Sequence, residues 1–231
     1  MPVSFLQLVL VALIGYIWGS IPAGYWMGKL LRGRSFDIRE YGSHKIGATN
    51  VSRTLGKWPA LIVFLFDLSK GLLPTLLALF ISFLYVGGWG PAVAGVTALL
   101  GHCFPVFIGF KGGRGVMTGS GVILLLSPLT FVLAGIMAFG TIALWRYVSL
   151  GSIVGSATAI ICGVLWYIIG QTQAQAHFFA AINLPTMLYL VIGPGLVILF
   201  HHDNIRRLLT GTERKVGQKV NVDDETSSAR A

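Results

Sequence analysis

Seven apolar stretches leave this chain few folds to choose from. They cover residues 4–31, 58–86, 91–108, 116–127, 129–145, 150–169 and 184–200. Most exceed what a buried core helix needs and approach the roughly 20 residues that cross a bilayer. In hydrocarbon the backbone must bond to itself. The expectation is therefore an all-α fold, a polytopic integral membrane helical bundle with seven transmembrane segments. Composition agrees: of 231 residues, 55% are hydrophobic and only 11% charged, against roughly 25% charged in a soluble domain. Residues 1–216 are expected to form one transmembrane domain and residues 217–231 a polar, frayed tail. The first apolar run is too long for a cleaved secretory signal, and no small-residue cleavage site leads into a soluble domain.

A net charge of +9 would suggest nucleic acid in a soluble protein. Here the basic residues sit at the ends of apolar segments, which points to bilayer orientation and to membrane lipids or an anionic substrate, and not to nucleic acid. With the N-terminus outside and the C-terminus in the cytoplasm, all 17 Lys and Arg residues except Lys70 fall at cytoplasmic ends. The exterior turns, near 87–90, 127–129 and 170–183, then hold none. This arrangement turns on residues 116–145, because one crossing there in place of two would invert everything downstream. Asp67 and Lys70 are three apart, share a helix face, and either pair with each other or line a site. The stretch Gly19-Ser20-Ile21-Pro22-Ala23-Gly24 reads as a kink or packing notch. Cys103 and Cys162 match no metal or redox spacing and read as packing residues.

Four polar islands interrupt the apolar pattern, and the charge map puts all four on the cytoplasmic face. The first is Gly42-Ser43-His44-Lys45-Ile46-Gly47-Ala48-Thr49-Asn50-Val51-Ser52-Arg53. Its glycines let backbone N–H groups point at one anion, Ser43, Thr49 and Asn50 add donors, and Arg53 can make a two-pronged phosphate contact. It is not a P-loop. The second is Lys111-Gly112-Gly113-Arg114-Gly115, two cations among glycines at a helix start, where the helix dipole favours an anion. The preceding span ends in His102, either a core histidine or a group supporting the site. The third, Arg146-Tyr147-Val148-Ser149-Leu150, means little alone, since Ser commonly caps helices. The fourth is His201-His202-Asp203-Asn204-Ile205-Arg206. Its His201 and Asn204 share a helix face and can bind a polyol hydroxyl, or His201 can move a proton. No complete metal ligand set is visible. Each island also admits a plainer reading as a tight turn, an orienting charge or a helix cap.

Together the motifs resemble a known family, the bacterial acyl-phosphate:glycerol-3-phosphate acyltransferases (the PlsY family). The resemblance spans about residues 5–214. It rests on Gly42-Ser43, Gly47-Ala48-Thr49-Asn50 and Arg53; on Gly101-His102, Phe104-Pro105-Val106-Phe107 and Phe110 to Val116; on Arg146 to Leu150; and on His201, Asn204-Ile205 and Leu208-Leu209. Ser20-Ile21-Pro22 and Asp67, Lys70-Gly71 match as well. The resemblance implies a multi-pass protein of the bacterial inner membrane with its active site facing the cytoplasm. It implies attack by the 1-hydroxyl of glycerol 3-phosphate on an acyl phosphate, giving lysophosphatidic acid and inorganic phosphate, with no metal or other cofactor and no covalent acyl-enzyme. Carried over by motif, Ser43, Arg53, Lys111, Ser149, His201 and Asn204 form the site. Arg53, Lys111, Thr49 and Asn50 bind substrate phosphate, and Ser43, Ser149 and the Gly112 and Gly113 backbone hold phosphate or carbonyl oxygens. His201 and Asn204 orient the glycerol moiety. Lys45, His102, Arg114, Arg146 and Asp203 stand behind these residues. His44-Lys45 replaces a Gly-Asn pair usual in the family.

Two other function classes fit these residues less well. Many glycerolipid acyltransferases carry His-x-x-x-x-Asp, but the fifth residue after each histidine here is Thr49, Phe107, Ile182, Arg206 or Arg207. A transporter or channel for a phosphorylated solute would also use cations and broken helices. It would gather its polar groups at mid-membrane, however, and show repeats, whereas these islands gather at one face.

Overall fold

The computed structural model describes residues 5–172 and 182–218. All regular structure among them is helical. In chain order the helices are α1 (Phe5–Gly19), α2 (Ala23–Arg32), α3 (Ala48–Thr54), α4 (Lys57–Phe80), α5 (Ser82–Tyr85), α6 (Trp89–Cys103), α7 (Val116–Leu126), α8 (Pro128–Trp145), α9 (Val148–Thr172), α10 (Leu184–Leu199) and α11 (His202–Leu209). Five described segments are long and apolar enough to cross a membrane: Phe5–Arg32, Lys57–Phe80, Ser82–Ile108, Pro128–Trp145 and Val148–Gln171. Helices α10 and α11 add a sixth if the 55° bend between them lies within one span. Helix α7 has 11 residues, about 16 Å at 1.5 Å per residue, and is too short to cross alone. The chain is a multi-pass membrane protein whose spans keep large apolar side chains such as Leu30, Phe80 and Leu144 exposed.

The breaks follow local chemistry. Ser20-Ile21-Pro22 separates α1 from α2, where the sequence suggested a notch. Pro128 opens α8 in its first turn, where a missing N–H is tolerated, so residues 116–145 form two helices. Asn183 caps α10, its Oδ1 accepting from the Thr186 N–H at 2.9 Å. Most of the polar loop expected at 171–183 lies outside the described residues, as does most of the expected tail.

Helices α4 and α6 are central. Helix α1 packs on α6 and α4, α7 lies along α4, and α10 sits between α6 and α9, with α8 outside α9. Lipid tails are as apolar as leucine, so close approach holds such helices together. Gly15 and Gly19 of α1 face Ala94 and Ala98 of α6, and a Cβ at either would strike the α6 backbone. Gly71 of α4 and Gly121 of α7 seat their helices the same way, against the carbonyls of Thr118 and Leu68. Asp67 and Lys70 pair inside α4 at 2.6 Å, both buried.

The segment between α2 and α4 builds a small core of its own. Phe36, Ile38, Tyr41, Ile46 and Val51 pack with Ala60 and Val63 of α4. The Phe36 and Tyr41 rings stack at 4.9 Å. Arg39 clasps Asp37 and also donates to the Ile108 carbonyl at 2.7 Å. That bond ties the first polar island to the approach of the second.

Candidate active site

Asn50 organises the first island. Its Oδ1 accepts from the Ser43 N–H at 2.9 Å. Its Nδ2 donates to the carbonyls of Ile38, Tyr41 and Lys45 at 3.2, 3.1 and 2.8 Å. The side chain is only 1% exposed. This corrects the expectation that Asn50 holds phosphate, because its polar atoms are spent on the loop. Thr49 stays exposed in the first turn of α3. Ser43 is half-buried beside His44, which lies in the left-handed region at φ 55°. A glycine would take that conformation freely. Here the His44 Nδ1–H donates to the Arg39 carbonyl at 2.9 Å and helps hold it. Arg53, in the last turn of α3, is half-buried. Burial and then the like charge of Arg214 lower its guanidinium from the usual value, with Glu213 opposing.

The second island also differs from expectation. The Gly112 N–H donates to the Cys103 carbonyl and the Gly113 N–H to the His102 carbonyl, each at 3.1 Å. Carbonyls at the end of α6 lack helical partners and take these bonds instead. The Gly112 and Gly113 backbone donors are therefore not free for phosphate or carbonyl oxygens. A Cβ at Gly113 would run into the His102 ring, so the glycines serve close approach to α6. Of the two cations, Lys111 is exposed, while Arg114 turns inward and pairs with Asp203 at 2.7 Å.

The third and fourth islands meet on a residue that sequence reasoning passed over. Glu213 Oε1 accepts from Ser149 Oγ and from Asn204 Nδ2, both at 2.7 Å. Its Oε2 accepts from Arg207 Nε, also at 2.7 Å. Burial alone would raise the Glu213 carboxyl, but these hydrogen bonds outweigh it and hold the group below its usual range. Asp203 behaves likewise: burial would raise it, and Arg114 holds it down. Arg146, expected to stand behind the site, instead ends α8 at φ 64° with an exposed side chain. Its carbonyl accepts from the Val216 N–H at 2.7 Å, which anchors the segment carrying Glu213.

Arg53, Arg114, Arg207 and Arg214 thus share one electrostatic neighbourhood with the carboxylates of Asp203 and Glu213. Lys45 lies close enough to lower Asp203 further. Positive charge is in excess. Buried polar atoms nearly always have partners in native proteins, yet three here have none among the described residues: Arg114 Nε, Asp203 Oδ1 and Asn204 Oδ1. One is a donor and two are acceptors. Beside them His201 is buried just past the last apolar span. Its Nδ1–H donates to the Val197 carbonyl at 2.7 Å, leaving a lone pair on Nε2. Burial pushes its imidazole down to about 4, so the ring is neutral at pH 7.

The structure brings Arg53, Ser149, His201 and Asn204 together, joined by Arg114, Asp203, Arg207 and Glu213. Ser43 is positioned through Asn50, and Lys111 lies at the solvent edge of its turn.

The family model for glycerol-3-phosphate acyltransferase matches residues 9–211. The chain is 40% identical over 216 residues to a glycerol-3-phosphate acyltransferase of Symbiobacterium thermophilum, covering 93% of this chain and 97% of that one. It is also 40% identical over 218 residues to glycerol-3-phosphate acyltransferase 1 of Deinococcus radiodurans, covering 93% and 98%. Its fold is similar to the crystal structure of PlsY (YgiH), an integral membrane glycerol 3-phosphate acyltransferase, in its glycerol 3-phosphate form, with a TM-score of 0.78 at 34% identity, covering 91% of this chain and 96% of that one. The lysophosphatidic acid form of PlsY gives a TM-score of 0.75 at 33% identity over the same shares. With matches of this extent, the chain belongs to the glycerol-3-phosphate acyltransferase family, the family of PlsY.

Proposed function

We propose that this protein transfers a fatty acyl group from an acyl phosphate to the 1-hydroxyl of glycerol 3-phosphate, giving lysophosphatidic acid and inorganic phosphate. The observation that carries the reading is the unpaired set at the arginine cluster: Arg114 Nε, Asp203 Oδ1 and Asn204 Oδ1. Glycerol 3-phosphate answers both needs, with phosphate oxygens for guanidinium and hydroxyls for the two acceptors. Arg53 and Lys111 take the phosphates, and Ser43 and Thr49 supply neighbouring hydroxyls. An acyl phosphate keeps its chain in lipid and its anionic head at the interface, so a site at the membrane surface serves both substrates.

In the proposed step the hydroxyl oxygen bonds to the carbonyl carbon as the bond from that carbon to the phosphate oxygen breaks. Inorganic phosphate leaves with the electron pair. The neutral His201 ring accepts the hydroxyl hydrogen bond at Nε2 and aims the oxygen. A ring held near 4 is a weak base, so the proton passes to a phosphate oxygen, whose second pKa is about 6. The donor is already activated, so positioning and charge neutralisation supply the rate, and neither a metal nor an acyl-enzyme is needed. Arg53→Ala and Lys111→Ala should each lower turnover by at least about 100-fold, the scale of losing one preorganised charge contact. Full rate in either variant refutes the assignment of that residue.

The proposal includes seven crossings, the N-terminus outside, and the site facing the cytoplasm of a bacterial inner membrane. Helix α10 is one crossing. Helix α7 with the turn at Pro128 is another, its short length met by burial against α4 and its other neighbours. The distribution of Lys and Arg supports it. In a background with Cys103 and Cys162 replaced by Ala, Ser82→Cys should react with an impermeant thiol reagent added to intact cells. Thr210→Cys should react only after lysis. The reverse pattern overturns this topology.

A further inference from the structure

Beneath the second island lies a charge cluster that the proposed chemistry does not use. We infer that Asp67, Lys70 and His102 form a positioning device that holds the Lys111-Gly112-Gly113-Arg114 turn from inside the membrane. The inference rests on the proposed roles of Lys111 and Arg114.

Lys70 is 0% exposed, and Asp67 and His102 are 3% exposed. Lys70 Nζ donates to Asp67 Oδ1 at 2.6 Å and reaches His102 Nδ1 at 3.2 Å. Asp67 Oδ1 lies 3.4 Å from the same Nδ1. An ammonium has only hydrogens to give, so Nδ1 receives one and the ring hydrogen sits on Nε2. Nε2 is the nitrogen nearest to where a Cβ at Gly113 would stand. The His102 ring therefore buttresses Gly113, while the His102 carbonyl accepts the Gly113 N–H. Thr118, in α7, donates to the Asp67 carbonyl at 3.0 Å, so the far side of the turn is tied to the same point. Through these links the α4 ion pair sets the ring, the ring sets the glycine turn, and the turn sets its two cations. An intramembrane ion pair is costly and needs a reason to be there. A pair serving only stability could be replaced by apolar residues of like volume without harm.

The decisive variant is therefore the double replacement Asp67→Asn/Lys70→Met, which leaves no uncompensated charge. Amide hydrogen exchange and steady-state kinetics should be measured on it in detergent. The expected result is at least tenfold faster exchange at Gly112 and Gly113, unchanged exchange in the middle of α6, and kcat lowered at least tenfold. Wild-type exchange at the two glycine amides overturns the inference. If the double variant does not fold, Lys70→Arg replaces it. That variant keeps a cation able to donate to both Asp67 and His102 but brings a larger planar head into a buried site, so exchange at the two glycine amides and kcat should move together, both near wild type or both altered. Tenfold loss of kcat with wild-type exchange in Lys70→Arg also overturns the inference. Exchange is read without substrate, so it decides this point even if acyl phosphate proves not to be the donor.

Discussion

Replacing Asn50 with alanine should destabilise the protein by about 3–5 kcal/mol, because one buried side chain serves four backbone groups. The variant would leave the Ser43 N–H and the carbonyls of Ile38, Tyr41 and Lys45 without this partner. Two of the carbonyls belong to residues of the small core under the loop, so that packing loosens as well. The loss is large beside the roughly 5–15 kcal/mol that hold a typical domain folded. Activity should fall with it, since Ser43 and Arg53 flank Asn50 in sequence and take their positions from this loop. Thermal unfolding in detergent, followed with turnover in the same samples, checks the claim. An Asn50→Ala protein that melts within a degree or two of the parent and turns over normally would show that another contact organises the loop.

Glu213→Ala carries the second large effect. Its carboxylate joins Ser149 on α9, Asn204 and Arg207 on α11, and its own segment. Hydrogen bonds to a charged group contribute about 1.5–3 kcal/mol each, so losing three should lower turnover by at least about 100-fold and also reduce stability. Glu213→Gln separates the two contributions. Its single amide oxygen can still accept from Ser149 and Asn204, but its NH2 group would face Arg207 Nε, donor against donor. Glu213→Gln should therefore keep more stability than Glu213→Ala while remaining slow. Near-normal turnover in Glu213→Ala would mean that the carboxylate does not hold Ser149 and Asn204 in place for the reaction.

Much of this architecture was legible from residue types alone. The apolar runs marked the helices, Pro128 divided residues 116–145, and Ser20-Ile21-Pro22 marked the first break. The spacing of Asp67 and Lys70 foretold a shared face, and they do pair. The motif resemblance identified the family, and the structure brings Arg53, Ser149, His201 and Asn204 into one neighbourhood. What the sequence left hidden was direction. A glycine turn can offer its N–H groups to a ligand or to a helix end, and the turn at Gly112-Gly113 does the latter, meeting the Cys103 and His102 carbonyls that α6 leaves without helical partners. An asparagine in a polar loop can face outward or inward, and the packing of Ile38, Tyr41 and Ile46 draws Asn50 in. In the sequence Arg207 and Arg214 read only as orienting charge after the last span, and nothing singles out Glu213. Only the return of that segment to the Arg146 carbonyl, 70 residues earlier, brings Glu213 onto Ser149. Such a long-range backbone contact leaves no local pattern.

The central claim is that an acyl phosphate gives up its chain directly to glycerol 3-phosphate at this arginine-rich site. The most direct measurement supplies purified protein with glycerol 3-phosphate and one of three donors carrying the same palmitoyl chain: palmitoyl phosphate, palmitoyl-CoA or palmitoylated acyl carrier protein. The account predicts that palmitoyl phosphate alone supports turnover, with one inorganic phosphate released for each lysophosphatidic acid formed. Equal or faster turnover with either thioester, or lysophosphatidic acid formed without matching phosphate release, would contradict it.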